Sequence, residues 1–318
     1  MALQELSTGR NSDGPINENV AQVAAVIVMC HLTNRDLLER LLAAVADQVA
    51  HSFVIDNTPA DMIGEFPIPA KYGGSVSHVP LGENTGVPAA ENVGISKAIE
   101  GGFTHVLLLD DDSNLDRNMV KTLLAAESAL LAEGNPVASV GPLFIDRKTG
   151  KRSFAFRPGR FRISRVPIAD SADPVESHYL IASGSLTRIS VFRSVGFMRS
   201  DFFIDWFDIE WGLRARSKGY RSYIIPRAVM QHSIGDSTVR VFGRDINIRS
   251  DIRNYYMIRN ATYLLRFKSF REWRVINLIK ISLYYAFYSL YSRHPLKSIR
   301  LLTSAVIDGV RGKLGRVN

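Results

Sequence analysis

The chain has one cysteine, Cys30, so it can form no intramolecular disulfide. A single thiol closing an apolar run reads as a packed side chain suited to a reducing cytosol. Its most apolar tail stretch, ISLYYAFYSLY (281–291), falls short of the about 20 residues that a membrane-spanning helix needs. Its first residues lack the basic-then-apolar order of a signal peptide. Residues 1–20 are polar, rich in Gly, Asn and Ser, and are expected to form a disordered leader. There is no internal repeat and no low-complexity tract.

What is present is a chain of 318 residues, 46% of them hydrophobic, enough for one large core or a main domain with an appendage. The net charge of +8 is unevenly placed. Residues 240–318 hold sixteen Lys/Arg against four Asp/Glu, and the remainder holds 23 against 27. A mildly acidic body therefore carries a strongly basic tail, which suits an anionic membrane surface, a nucleic acid or an acidic substrate.

The first half alternates between two periodicities. Continuous apolar runs at 23–30, 53–56 and 105–110, with weaker ones at 75–79 and 139–143, read as buried strands. Between them, Leu37, Leu38, Leu41, Leu42 and Val45 follow helical spacing behind a possible cap at Asn34; 88–100 and 117–133 read as further helices. Such alternation predicts an α/β fold with a mostly parallel central sheet flanked by helices, Rossmann-like in its first half. Further on, a hairpin is expected around Thr149-Gly150, an irregular loop over 156–178, a strand over 179–184, a helix over 209–220 and a strand at AVMQ before His232. The division expected is a leader (1–20), a main α/β domain (21–245) and a basic helical C-terminal extension (246–318).

In an open parallel sheet, ligands bind beyond the C-terminal ends of the strands. The polar strand ends here are His31 to Asn34, Asp56-Asn57 and the triplet Asp110-Asp111-Asp112. Like charges this close repel, so either solvent or a cation must neutralise them. Asp110 and Asp112 can present oxygens to Mg²⁺ or Mn²⁺, hard cations that complete their shells with phosphate and water. ENTGVPAAENVGI (83–95) opens a helix with Gly86 and carries the amides Asn84 and Asn92. FIDWFDIEWGLR (203–214) sets Asp205, Asp208 and Glu210 among Trp206, Phe207 and Trp211, where a partly desolvated carboxylate can act as a base. HSIGDS puts His232 after a strand.

Taken in order, these elements resemble the family-2 glycosyltransferases of GT-A fold, which use a nucleotide-sugar donor and invert the anomeric centre. FIDNTP, ENTG, the Ser183-Gly184 pair and RNYYMIRN (253–260) are most similar to the bacterial rhamnosyltransferases of that family, with galactofuranosyltransferases sharing parts of the set. The resemblance spans roughly 23–265. It implies a metal-dependent hexosyltransferase that moves L-rhamnose from dTDP-rhamnose to a lipid-linked or cell-surface glycan at the inner face of the cytoplasmic membrane. It further implies Asp208 as catalytic base, although Phe207 stands where the family's motif has Glu. Asp112 and His232 would hold Mg²⁺ or Mn²⁺. His31, Thr33, Asp56, Asn84, Gly86, Asn92, Asp110 and Asp111 would surround the nucleotide sugar. Gly184, Asp205, Trp206, Glu210 and Trp211 would lie on the acceptor side.

The basic tail is expected to contact anionic lipid or to self-associate. Its tyrosines cluster rather than interleave with arginines, which argues against a nucleic-acid groove. VMCHLTNRD lacks the glycines of a nucleotidyltransferase loop. The remaining alternative, a catalytically silent membrane-associated scaffold, is disfavoured by the intact Asp112, Asp208 and His232.

Overall fold

The computed structural model describes residues 23–30, 35–63, 70–146, 150–158, 163–169, 173–232, 237–241, 244–248, 250–291 and 294–317. The expected leader, His31 and Thr33 lie outside the described residues, and so does the side chain of His232.

In chain order the first half comprises β1 (Val23–Met29), α1 (Arg35–Ala46), β2 (His51–Pro59), β3 (Val76–Gly82), α2 (Val87–Glu100), β4 (His105–Asp110), β5 (Asn114–Leu115), α3 (Met119–Ala132) and β6 (Val137–Asp146). The second half comprises β7 (Phe154–Pro158), β8 (Ile163–Pro167), β9 (Val175–Ser177), β10 (Leu186–Arg188), α4 (Ile189–Val195), α5 (Phe207–Ser217), β11 (Arg221–His232), β12 (Ser237–Val241), β13 (Arg244–Ile248), α6 (Asp251–Leu264), α7 (Arg274–Tyr291) and α8 (Pro295–Arg311).

The main sheet runs β3-β2-β1-β4-β10-β6-β11-β5, with β9 beside β11. β3, β2, β1 and β4 pair in parallel, as do β6 and β11. The short β10 lies antiparallel between β4 and β6. The expected parallel α/β architecture is present, and its central strands are apolar throughout because both faces are covered. Val23, Ala25, Ile27 and Met29 of β1 meet α1 and α3 on one face. Ala24, Val26 and Val28 meet α2, α4, α5 and the C-terminal helices on the other.

Two sequence expectations fail in the second half. The apolar run 179–184 is not a strand; it is a loop, and the strand begins at Leu186. Gly184 sits at φ 80 with its N–H donated to Leu108 O, which turns the chain over the end of β4. Residues 156–178 are not an irregular loop: β7 and β8 form a hairpin and β9 adds to the sheet. Period-2 burial in β7 is limited to Ala155, too short to read in a segment broken by Pro and Gly.

α6, α7 and α8 pack into the same core as the sheet. Tyr255, Tyr256, Ile258, Phe270, Trp273, Tyr288, Leu302 and Ala305 are all buried there. Gly309 allows the close approach of α8 to α6, since a Cβ at this position would lie 2.6 Å from Arg259 O. The tyrosine side of α7 faces inward, with Tyr284 and Tyr285 packed against the core, and its leucines face out. No helix among the described residues is long and apolar enough to cross a membrane.

Candidate active site

A cavity of about 380 Å³ opens at the C-terminal edge of the sheet, and both halves of the chain contribute to it. From the first half comes Asp110, where the buried strand β4 meets solvent. Its N–H donates to Ser183 Oγ at 3.2 Å, and Ser113 and Ser183 share a hydroxyl hydrogen bond of 2.8 Å, so the triplet's turn is tied to the 179–185 loop. From the second half come Asp205, Trp206 and Asp208, with Arg253 from α6 and Lys280 and Tyr284 from α7.

The segment carrying the three second-half residues is strained. Phe203, Asp205 and Trp206 have φ of 67°, 59° and 69°, a region that costs a non-glycine residue about 1–2 kcal/mol. Such a shape persists only when its surroundings enforce it. Asn260 on α6 enforces it: its Nδ2 donates to Phe202 O (3.0 Å), Ile204 O (2.9 Å) and Asp205 O (3.1 Å). Arg259, among the most buried side chains, donates to Asn260 Oδ1, Phe202 O and Gly315 O. From the other side, Val87 N–H donates to Phe203 O, and Gly86 admits the loop because a Cβ there would lie 2.5 Å from that same oxygen. Arg253 forks onto Asp205 at 3.2 and 3.3 Å.

Asp208 sits in the first turn of α5 and accepts from Ile209 N–H at 2.8 Å. Burial pushes its carboxyl up to about 7; Asp205 and Asp110 add to the rise, and the Ile209 bond opposes it. Buried Glu91 on α2 is likewise pushed well above the usual carboxylate range, by burial first and then by Asp110 and Asp208. A carboxylate poised near neutrality and facing a cavity is an arrangement that can accept a proton.

The other expected site residues divide. Asp56 is buried, with Thr58 N–H on one oxygen and His78 Nε2 on the other at 3.0 Å. Asn84 builds the loop after β3: its Oδ1 accepts from Gly86 N–H and Asn57 Nδ2, and its Nδ2 donates to Cys30 Sγ. Asn92 lies away from the cavity, its amide clamped on the Met198 backbone at 2.8 and 3.0 Å. Glu210 is turned to Arg214, which holds Val195 O and Phe197 O. Trp211 donates to Gly196 O inside the core. These last three side chains support the walls rather than line the cavity. Motif reading placed them at the site because neighbours in sequence point in different directions on a helix. Arg253 and Glu91 lie inside the motifs RNYYMIRN and ENTGVPAAENVGI but are not assigned to the site by them, and Lys280 and Tyr284 carry no motif; only the packing of α2, α6 and α7 brings these four here.

Among the described residues, no three His, Cys, Asp or Glu side chains converge as a closed metal cage would. A site completed by diphosphate and water needs fewer protein ligands. The half-buried Asp111 and Asp112 follow the end of β4. Two residues after Asp112, β5 pairs with β11 with Asn114 opposite Gln231, so the backbone at His232 is brought alongside the triplet.

The sequence matches no family model. It is 30% identical over 309 residues to the dTDP-rhamnosyl transferase RfbF of Shigella flexneri, covering 93% of this chain and 97% of that protein. The chain belongs to the family-2 glycosyltransferases. Its GT-A fold is similar to that of GalNAc-T7, crystallised with UDP, GalNAc and Mn²⁺, at TM-score 0.59 and 15% identity; the match covers 91% of this chain and spans 56% of the other. It is also similar to S. aureus TarS 1-349 at TM-score 0.55 and 11% identity, covering 92% and 82% of the two chains. In this glycosyltransferase the cavity therefore occupies the sheet edge where open α/β folds take their ligands.

The raised pKa of Asp208 links to stability with a definite sign. Between the ordinary aspartate value of 3.8 and about 7, the folded protein holds a proton that the unfolded chain has released. The stabilisation is full below that window and is lost as pH rises through about 7. Asp208→Asn carries no such proton, so its stability advantage over wild type is expected to widen from about pH 4 to pH 7 and stay level above. Urea unfolding of both proteins across pH 5 to 8 measures the difference; a gap independent of pH would refute the raised value.

Proposed function

We propose that this glycosyltransferase transfers L-rhamnose from dTDP-rhamnose to a hydroxyl of a lipid-linked or cell-surface glycan, with inversion at the anomeric carbon. The observation that carries the reading is Asp208, a carboxylate poised near neutral pH in a cavity that also holds Asp110 at the end of the nucleotide-binding half. The likeness to a dTDP-rhamnosyl transferase over nearly the whole chain supports the choice of donor.

In this reading the nucleotide lies across the ends of β1, β2 and β4, with Asp56 and Asp110 toward the base and ribose. Asp208 accepts the proton of the acceptor hydroxyl at its carboxylate as that oxygen attacks the anomeric carbon opposite the departing diphosphate. Arg253 holds Asp205 in place beside it, and the aromatic wall of Trp206 and Tyr284 excludes water and offers a surface for a sugar ring. Asp112 and His232 would hold Mg²⁺ or Mn²⁺, which, when bound, supplies Lewis-acid stabilisation of the leaving diphosphate. The hard oxygen donors of the triplet and the β5–β11 pairing beside it support that placement.

The same reading puts the enzyme on the cytoplasmic face of the membrane, where a lipid-linked acceptor resides. Exposed apolar side chains concentrate on the last two helices: Leu278, Leu283 and Leu290 on α7, and Leu296, Ile299 and Val310 on α8. Leu283 and Leu290 fall on one outward side of α7, with Leu278 at its flank, and Leu296, Ile299 and Val310 fall on one side of α8. Exposed Lys297, Arg300, Arg311 and Lys313 accompany them. Apolar side chains fringed by basic ones suit an anionic lipid surface, to which each cation near the headgroups adds about 1 kcal/mol. The leucines, rather than the tyrosines, are the insertion points.

Catalysis tests the base and the metal together. Asp208→Asn is expected to keep dTDP affinity while rhamnosyl transfer falls by about 10²–10⁴-fold. Wild-type kcat/KM should rise with pH and reach half its maximum near 7. EDTA should weaken calorimetric dTDP affinity in wild type and have little effect in Asp112→Ala. Full transfer by Asp208→Asn would discard the base, and EDTA-insensitive affinity would discard the metal. On membranes, wild type is expected to pellet with phosphatidylglycerol-containing vesicles, less so at high salt, and Leu283→Ser/Leu290→Ser to stay in solution. Equal sedimentation of the two, or a dimer closed through these helices in light scattering, would reassign the stripe.

A further inference from the structure

After α8 the chain does not leave the protein. Gly312, at φ 73, turns it back, and two anchors fix the segment on either side of Arg316. Gly315 donates its N–H to Asp201 O at 2.7 Å and accepts from Arg259 Nη1 at 2.6 Å. Val317 N–H donates to Tyr256 Oη at 2.8 Å. Gly315 thus joins the clamp beneath the strained Asp205 loop, and Arg316 is held between fixed neighbours.

Arg316 emerges at the opposite end of the sequence from its surroundings. Its Nη1 reaches Asn84 O at 3.5 Å, on the loop that Asn57 and Cys30 organise at the ends of β2 and β1. Its positive charge acts on the Cys30 thiol, as do the negative charges of Asp56 and Asp111. A guanidinium is therefore delivered to the mouth between the end of β1 and the aspartate triplet. Its side chain is exposed, and one long bond to a carbonyl leaves most of its five N–H donors for another partner. A nucleoside diphosphate approaching the carboxylates at the ends of β2 and β4 meets repulsion unless cations offset it. Guanidinium groups match phosphate oxygens in a two-pronged geometry that ammonium groups lack.

We propose that Arg316 is a donor-binding residue that grips the diphosphate of the nucleotide sugar, so that the segment after α8 completes the donor site built by the first half of the chain. The inference rests on the nucleotide-sugar reading given above. Calorimetric titration of dTDP with Mg²⁺ into wild type, Arg316→Lys and Arg316→Gln tests it in the full chain, with thermal midpoints confirming that each protein is folded. Arg316→Gln should bind dTDP about 10- to 100-fold more weakly, the scale of a lost charge-assisted hydrogen bond, and Arg316→Lys should recover part of that loss. Wild-type affinity in Arg316→Gln, or equal losses in both variants, would overturn the assignment, because a role in packing or spacing does not depend on charge. Failure of wild type to bind dTDP at all would instead remove the donor reading on which it stands.

Discussion

Arg259 and Asn260 hold the cavity end of this protein together. Consecutive on α6, they bond to each other and spend their remaining donors on main-chain carbonyls: Phe202, Ile204 and Asp205 in the strained loop, and Gly315 in the segment after α8. The charge of Arg259 is buried, which burial opposes, and the faces of Tyr255 and Tyr256 lie over its guanidinium at 5.8 and 4.8 Å. A loop with three left-handed non-glycine residues would relax to another shape without such a clamp. With it, Asp205, Trp206 and Asp208 face one cavity. The C-terminal helices thus shape the cavity as well as forming a basic appendage.

That clamp also sets the electrostatics. Burial and the neighbouring charges of Asp205 and Asp110 raise the pKa of Asp208, and burial with Asp110 and Asp208 raises that of Glu91. Asp205 has Arg253. Glu91 is enclosed, and burial pushes its carboxyl well above the usual range. Asp208 keeps access to the cavity and takes the intermediate position, ionising near neutrality. Separate environments thus give chemically similar groups separate tasks.

Much of this was legible from the chain alone. The apolar runs of β1, β2 and β4 and the helical spacing of α1 and α2 set the parallel half, because burial on both faces leaves a continuous signal. The motif around Asp208 and the triplet after β4 pointed to the family for the same reason: each is local, with its spacing written in consecutive residues. The second half read less well. The 179–184 run is as apolar as a strand, but Gly184 bends it away, and β9 pairs with β11, a partner far along the chain that no local period encodes.

The sequence by itself determined the fold class, the family and the presence of carboxylates at strand ends. Only the tertiary structure decided which side chains share a space. Asn92, Glu210 and Trp211 sit inside motifs yet turn toward Met198, Arg214 and Gly196. Arg253, Lys280 and Tyr284 sit in the tail yet reach the cavity, and Arg316 reaches the loop at Asn84. The reason is physical. Local propensity fixes which way the backbone runs, but the direction of a side chain depends on how α6, α7 and α8 dock on the sheet. That docking comes from buried contacts such as Gly309 against Arg259 and Thr262, between residues 47 or more positions apart.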